Sequence, residues 1–163
     1  MQRGAVVIIT EPTRGRYIVQ RKDNRHPNPE VRRCLSFWGG HIEEGETPQQ
    51  AAERELREEI LMDLPVAALR FMFSDTVEAQ QWPGSWEAHV FELTLAPETF
   101  AALQRGLPVE KIGEGLGEPA TLEHLVACAC SDARLFVASH GELFLRYVHQ
   151  VSQEMDEPRS VTL

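Results

Sequence analysis

The sequence predicts a single domain that combines α-helices with β-strands, of the α+β or α/β class. The chain has 163 residues, of which 42% are hydrophobic, and this is enough for one buried core. Short β-branched runs, such as residues 4–10, indicate buried strands. Residues 49–60 lack Gly, Pro and β-branched residues before the last position, which favours a helix. We take residues 1–151 as the domain and expect residues 152–163 to fray.

The predicted helix has a well-defined start. Thr47 is a favourable N-cap, Pro48 fits the first helical position, and Gln50 completes a capping box. Apolar residues recur at every fourth position and form one stripe for the core: Ala52, Leu56 and Ile60.

The other elements follow in chain order. We expect strands at residues 4–10 and 16–20 to form a hairpin, and a short strand at residues 35–38 to lead into a Gly39–Gly40 turn. Strands at residues 66–73 and 86–95 enclose a polar loop at residues 74–85. Helices are predicted at residues 97–104, from Thr121 to about Cys128, and from Ser139 or His140 to about Val151.

Three carboxylates share one face of the helix beside its apolar stripe. Glu55, Glu58 and Glu59 stand at i, i+3 and i+4, and such like-charged pairs repel by a few tenths of a kcal/mol each. Arg54 offsets part of this repulsion, and a hard cation such as Mg²⁺, which prefers oxygen ligands, would offset more. This spacing alone usually marks a solvated face. The upstream Gly39–Gly40 turn can aim a backbone carbonyl at the same face, and this favours a metal site.

Charge and composition narrow the class of function. The net charge of −9 argues against general binding of nucleic acid polymers, whereas residues 1–33 hold eight basic and three acidic residues and suit a phosphate substrate. No apolar run approaches the length of a membrane span, and the first apolar block is too short for a signal peptide. We expect a cytoplasmic protein in which three cysteines remain reduced and buried: Cys34, Cys128 and Cys130.

Residues 40–62 resemble the signature of the Nudix hydrolases. That signature is Gly, five residues, Glu, seven residues, Arg-Glu, an aliphatic residue, any residue, Glu-Glu, any residue, Gly and an aliphatic residue. The matching fixed positions are Gly40, Glu46, Arg54, Glu55, Glu58 and Glu59. The last glycine of the signature is replaced by Leu61, which changes the exit of the helix but removes no ligand.

The resemblance implies an α/β/α sandwich with a mixed, mostly antiparallel sheet. It also implies a Mg²⁺-dependent pyrophosphohydrolase, with Mn²⁺ as the alternative metal. The expected substrate is a small molecule, a nucleoside diphosphate linked to another moiety such as an NTP or dNTP, ADP-ribose or a nucleotide sugar. An isomerase of diphosphate esters and a non-catalytic nucleotide sensor are the alternatives. We expect a monomer or homodimer with no membrane partner.

The same resemblance assigns roles to individual residues. The metal ligands are Glu55, Glu58, Glu59 and the carbonyl of Gly40, and Arg54 orients both Glu46 and this row of ligands. The general base is either Glu58 or Glu114, with Glu118 as the rival of Glu114.

Substrate-binding residues are expected outside the signature. An arginine at the position of Arg21, directly after the second strand, often reaches the substrate in this family. Trp82 or Trp86 is a candidate for stacking on a base, although packing against its own strand is the commoner role of such a tryptophan. Trp38 is expected to pack in the core or at its rim.

Overall fold

A computed structural model describes residues 1–79, 81, 83–106 and 115–157. In this part of the chain the strands are Gln2–Thr10 (β1), Arg16–Lys22 (β2), Leu35–Ser36 (β3), Trp38–His41 (β4), Arg70–Glu78 (β5), Ser85–Thr94 (β6) and Gly115–Thr121 (β7). The helices are Pro48–Glu59 (α1), Pro97–Gly106 (α2), Leu122–Ser131 (α3) and His140–Asp156 (α4), accompanied by short 3₁₀ turns. None of the described helices is long and apolar enough to cross a membrane.

The sheet is organised around β1. β1 runs parallel to β6 along its whole length and antiparallel to β2 and β4 on its other edge. The path of the sheet is β3-β2-β1-β6-β5, with β7 added to β2 and β4 added to β1. Because β1 and β6 form the parallel pair and the other pairs are antiparallel, the predicted mixed, mostly antiparallel sheet is confirmed.

Two hydrophobic cores lie on opposite faces of this sheet. Alternate residues of β1 supply both cores, as the two-residue period of a strand requires. The core under α1 and α2 includes Val7, Ile9, Leu56, Phe91 and Phe100. The core under α3 and α4 includes Ile8, Val19, Leu125, Phe144 and Tyr147. The three layers are the α/β/α arrangement that the sequence predicts, and Trp38, whose ring is buried, packs in the first core as expected.

The predicted strand at residues 66–73 is wrong at its start. Val66–Ala68 is a 3₁₀ turn, and β5 begins at Arg70 and continues to Glu78, so the first part of the predicted polar loop, residues 74–78, is strand. β5 pairs only with β6 and is an edge strand, where polar side chains can face solvent. Its buried residues, Met72 and Val77, are too widely spaced to form an apolar run in the sequence.

Glycine-containing segments account for the other differences. Gly39–Gly40 is not a turn but part of β4, where Gly39 pairs with Val6 and Gly40 with Ala5. β7 was not predicted, because Pro119 and its flanking glycines disfavour a strand, but a proline is tolerated on an edge strand.

Two smaller expectations also need correction. α4 continues past the predicted end at Val151 to Asp156, and residues 158–163 of the expected tail lie outside the described residues. The thiols are free, but only Cys34 is buried, whereas Cys130 is exposed.

The buried carboxylate of Glu92 connects β6 with β5, with the turn between β1 and β2, and with α4. Glu92 of β6 is 3% exposed and accepts hydrogen bonds from Arg14 Nε at 2.8 Å and from the hydroxyl of Tyr147. Arg70 of β5 lies 3.3 Å from the same carboxylate. Burial raises the pKa of Glu92, but the hydrogen bonds from Arg14 and Tyr147 outweigh it and leave the pKa below the ordinary value of 4.5.

We expect Glu92→Gln to lower the free energy of unfolding at pH 7 by about 3 kcal/mol, because it leaves the part-buried Arg14 without its counter-charge. A carboxylate with a lowered pKa stabilises the fold above its unfolded pKa, so the difference between wild type and variant should shrink as the pH falls below about 4.5. Urea titrations between pH 3 and pH 7 measure this. The exposed Glu98→Gln is the control, and an equal loss in both variants would contradict the prediction.

Candidate active site

α1 begins as the sequence predicts. The hydroxyl of Thr47 accepts from the backbone N–H of Gln50 at 3.1 Å, and the side chain of Gln50 accepts from the backbone N–H of Thr47 at 2.9 Å. Pro48 occupies the first turn, and Ala52 and Leu56 are buried against the sheet. The capping box and the apolar stripe are therefore confirmed, and they fix which face of α1 carries the glutamates.

The end of α1 explains why Leu61 can replace the signature glycine. Ile60 leaves the helix in an extended conformation, with φ −121° and ψ 112°, so no left-handed residue is needed at the exit. Ile60 is buried and Leu61 is 85% exposed, so the substitution neither strains the backbone nor crowds the core.

Arg54 is the centre of the site. Its guanidinium donates to both oxygens of Glu46 at 2.8 and 3.0 Å, to Glu55 at 2.7 Å, to Glu58 at 3.4 Å and to the carbonyl of His41 at 2.9 Å. The hydrogen bonds to Glu46 and Glu55 raise the pKa of Arg54. The hydrogen bond between Arg54 and Glu46 also lowers the pKa of Glu46. Arg54 thus joins α1, the loop before it and β4 through charge-assisted hydrogen bonds.

Two further contacts bring the carboxylates of Glu59 and Glu55 to the backbone of β4. Glu59 is buried and accepts from the backbone N–H of Gly39 at 3.0 Å. The carboxylate of Glu55 lies so close to Gly40 that a Cβ there would be 2.5 Å from Glu55 Oε1. Gly40 is therefore needed for space, since any side chain would displace this carboxylate.

These residues offer oxygen donors, which suit Mg²⁺ or Mn²⁺ rather than a soft metal. Within the described residues, no three His, Cys, Asp or Glu side chains are already grouped closely enough to hold an ion. Glu55 and Glu58 both pair with Arg54, and the side chain of Glu58 is 50% exposed. The chemistry of this donor set, carboxylates and a backbone carbonyl, fits a hard divalent cation.

Arg21 and Glu118 pair with each other. Arg21 Nη2 lies 2.6 Å from Glu118 Oε1, and Arg21 Nη1 donates to the carbonyl of Arg33 at 2.9 Å. Glu118 raises the pKa of Arg21. Among the described residues, no hydrogen bond or ion pair connects this pair with the carboxylates of α1. Glu114 lies outside the described residues.

A cavity of about 230 Å³ opens beside Gly39 and Gly40. Trp86 forms one wall, and its ring approaches Gly4 so closely that a Cβ there would be 2.9 Å from Trp86 Cζ3. Trp82 lies outside the described residues. Lys22, one of the basic residues of the segment 1–33, also lines the cavity. The sequence did not indicate His140, a further lining residue, because strands and a helix distant in sequence bring it to the cavity.

The three layers, with a glutamate-bearing helix packed against a Gly-Gly strand, define an α/β/α protein with a cluster of carboxylates at one edge of β4. The chain belongs to the NUDIX domain family, whose model matches residues 1–111 and so includes β1–β6, α1 and α2. The sequence resemblance in α1 is thereby confirmed. Membership of this family supports a Nudix hydrolase in general, and Nudix enzymes generally use divalent metals.

Solved structures share the fold. One is the DR0079 protein from Deinococcus radiodurans, with 23% identity, 89% of this chain and 82% of that chain covered, and a TM-score of 0.60. The MutT protein from Methanosarcina mazei Go1 has 14% identity, 96% of each chain covered and a TM-score of 0.63. The Ap4A hydrolase from C. elegans has 18% identity, 94% and 99% covered, and a TM-score of 0.57. No curated protein matches the sequence.

The two glycines of β4 should respond differently to alanine. Gly39 has φ +117°, and its Cβ would lie 2.1 Å from the carbonyl oxygen of Ala5, so Gly39→Ala should cost at least 2 kcal/mol of stability. Gly40→Ala meets only the flexible end of Glu55 and should cost under about 1 kcal/mol while displacing that carboxylate. Urea unfolding measures both, with Gly106→Ala in open space as the control. Equal costs at Gly39 and Gly40 would refute this account.

Proposed function

We propose that this protein is a Mg²⁺-dependent pyrophosphohydrolase. Its substrate is a nucleoside diphosphate linked to another moiety, such as a nucleoside triphosphate, ADP-ribose or a nucleotide sugar. The observation that carries this proposal is the packing of Glu55 and Glu59 against the backbone of Gly39 and Gly40, with Arg54 holding the carboxylates. Family membership supports the hydrolase class. The likeness to a MutT protein and an Ap4A hydrolase is consistent with it.

Glu55, Glu58, Glu59 and the carbonyl of Gly40 would hold the metal, with Mn²⁺ as the alternative to Mg²⁺. A bound divalent cation neutralises phosphate oxygens and lowers the pKa of water. Glu59 is hydrogen-bonded to the backbone of Gly39, whereas Glu58 is half exposed and lies 3.4 Å from Arg54.

The remaining residues of the site position groups and move a proton. Arg54 holds Glu46 and Glu55 in place, so a change at Arg54 acts through its partners. The general base accepts a proton from the attacking water, and it is either Glu58 or Glu114. Glu118 is the weaker candidate, because Arg21 engages its carboxylate.

The substrate would extend from this site into the neighbouring cavity. Lys22 and Arg3 line it and supply positive charge for phosphate oxygens, and Trp86 supplies an aromatic wall for the base. Arg21 remains a candidate for substrate contact if it exchanges Glu118 for phosphate. The net charge of −9 favours a small nucleotide over a nucleic acid polymer. We take residues 1–151 as the functional domain of a cytoplasmic monomer or homodimer.

Glu59→Gln should reduce kcat at least 10²-fold without unfolding the protein, because it removes a charged ligand but keeps the shape of the side chain. The matched control is Glu53→Gln on the same helix, whose carboxylate contacts Gln49 and Arg57 instead of β4. Turnover is measured on a nucleotide panel with saturating Mg²⁺ or Mn²⁺, and folding by circular dichroism. Near-normal turnover of Glu59→Gln would refute its assignment as a ligand.

The same panel separates the competing functions. Release of phosphate or of a nucleoside monophosphate supports the hydrolase. Binding without turnover supports a nucleotide sensor, and a rearranged ester without phosphate release supports an isomerase. Glu58→Gln and Glu114→Gln, compared in the same assay, identify the general base by the larger loss of kcat.

A further inference from the structure

The cavity beside β4 is large enough for one flat ring system but not for a whole nucleotide. Its volume of about 230 Å³ lies below the roughly 300–1,000 Å³ of sites that enclose a complete ligand. The walls are mostly apolar and come from Gly4 and Val6 of β1, Trp86 of β6, Ala138 of the 3₁₀ turn before α4, and His140 of α4. Since the Gly39–Gly40 backbone forms one rim, a group in the cavity would remain attached to phosphates near Glu55 and Glu59.

His140 places one polar group in this apolar wall. Its Nδ1 accepts from the backbone N–H of Phe37 at 3.0 Å. Burial, and to a smaller extent the cation of Lys22, lowers the pKa of His140 to about 3, so the ring is neutral at physiological pH. A neutral imidazole that accepts at Nδ1 carries its hydrogen on Nε2. No described residue accepts a hydrogen bond from that Nε2–H.

The backbone before His140 is held in an unusual conformation. Ala138 has φ 49° and ψ 40°, and Ser139 has φ 67° and ψ 18°, so two consecutive residues other than glycine are left-handed. Both are buried, and the next residue, Gly141, lies against Phe136 so closely that a Cβ would be 2.8 Å from its ring. Strained backbone of this kind persists where surrounding structure imposes it, and it concentrates at ligand sites. Here it fixes the His140 ring at the wall of the cavity.

A second donor near His140 lacks an acceptor. The indole N–H of Trp86 is buried and has no hydrogen-bond partner among the described residues, and the Trp86 and His140 rings lie 6.2 Å apart. The nearby hydroxyl of Ser36 donates to the carbonyl of Phe37 at 2.8 Å. The N–H groups of His140 and Trp86 therefore lack acceptors among the described residues, which points to a ligand that presents an acceptor to this wall.

We propose that His140 is a specificity-determining residue whose Nε2–H donates to a carbonyl oxygen of the substrate base. Bases with a keto oxygen at the recognised edge, such as hypoxanthine, guanine or uracil, would be preferred over adenine and cytosine, which present an amino group there. An amino group would face the imidazole N–H donor to donor and leave both unpaired, which strongly disfavours the wrong ligand. This inference rests on the proposed function, because it concerns the substrate of the same site.

Hypoxanthine and adenine nucleotides test this directly, because the two bases differ only in the group on C6 and in the hydrogen on the adjacent N1. We expect calorimetry to show IMP binding to wild-type protein at least about tenfold more tightly than AMP, and kcat/KM to favour ITP over ATP to the same degree. The binding comparison needs neither turnover nor a variant. Equal affinity for IMP and AMP, or tighter binding of AMP, would overturn the inference.

Two substitutions then assign the preference to His140. His140→Asn keeps an acceptor for the N–H of Phe37 but withdraws the donor from the cavity, so it should raise KM for ITP about tenfold, with kcat changed little. His140→Gln extends an amide donor to a similar depth and should restore part of the preference. His124→Gln, at an exposed histidine of α3, is the control and should behave as wild type. An unchanged ITP preference in folded His140→Asn would refute the role of His140.

The outcomes keep the two proposals apart. Tighter IMP binding without hydrolysis of any nucleotide in the panel would support His140 as a specificity residue and refute the hydrolase. Hydrolysis of ITP and ATP with equal kcat/KM would support the hydrolase and refute the role of His140.

Discussion

The guanidinium of Arg54 bridges groups that would otherwise repel or separate. Glu55 and Glu58 lie on the same helix face and Glu46 precedes the helix, and all three place oxygens within 3.4 Å of Arg54 nitrogens. A further hydrogen bond to the carbonyl of His41 ties this cluster to β4. The position of Glu55 beside Gly40 and the link from α1 to β4 depend on this one cation, since each involves a partner that it holds.

The close approach of helix and strand imposes a second, steric condition. Gly39 adopts a positive φ next to the backbone of Ala5, and Gly40 leaves room for the carboxylate of Glu55. The position of Glu55 therefore depends both on its ion pair with Arg54 and on the space beside Gly40. The buried Glu92 is a second ionic junction. It pairs with Arg14 and Tyr147, and so links β6 to the turn between β1 and β2 and to α4. Both junctions are places where ionic hydrogen bonds connect separate elements of the fold.

The parts that could be predicted from sequence are those fixed by local chemistry. Thr47 and Gln50 cap α1 through neighbouring backbone groups, and the signature around Glu55 has a fixed spacing, so both were identified without knowledge of the fold. Gly39–Gly40 looked like a turn because glycine permits one, and only the pairing with β1 makes it a strand. β7 and the wall formed by His140 depend on contacts between segments far apart in the chain, which no local pattern records.

The pairing of β1 with β6 affects how the chain acquires its structure during synthesis. Gln2 pairs with Trp86 and Thr10 with Thr94, so the central strand lacks its parallel neighbour until the ribosome has passed residue 94. Such distant pairings close slowly because a long loop must be ordered first. α1 is complete by Glu59, yet the sheet beneath it is still missing one side at that moment. Until β6 has been synthesised, one edge of β1 therefore remains without its partner strand.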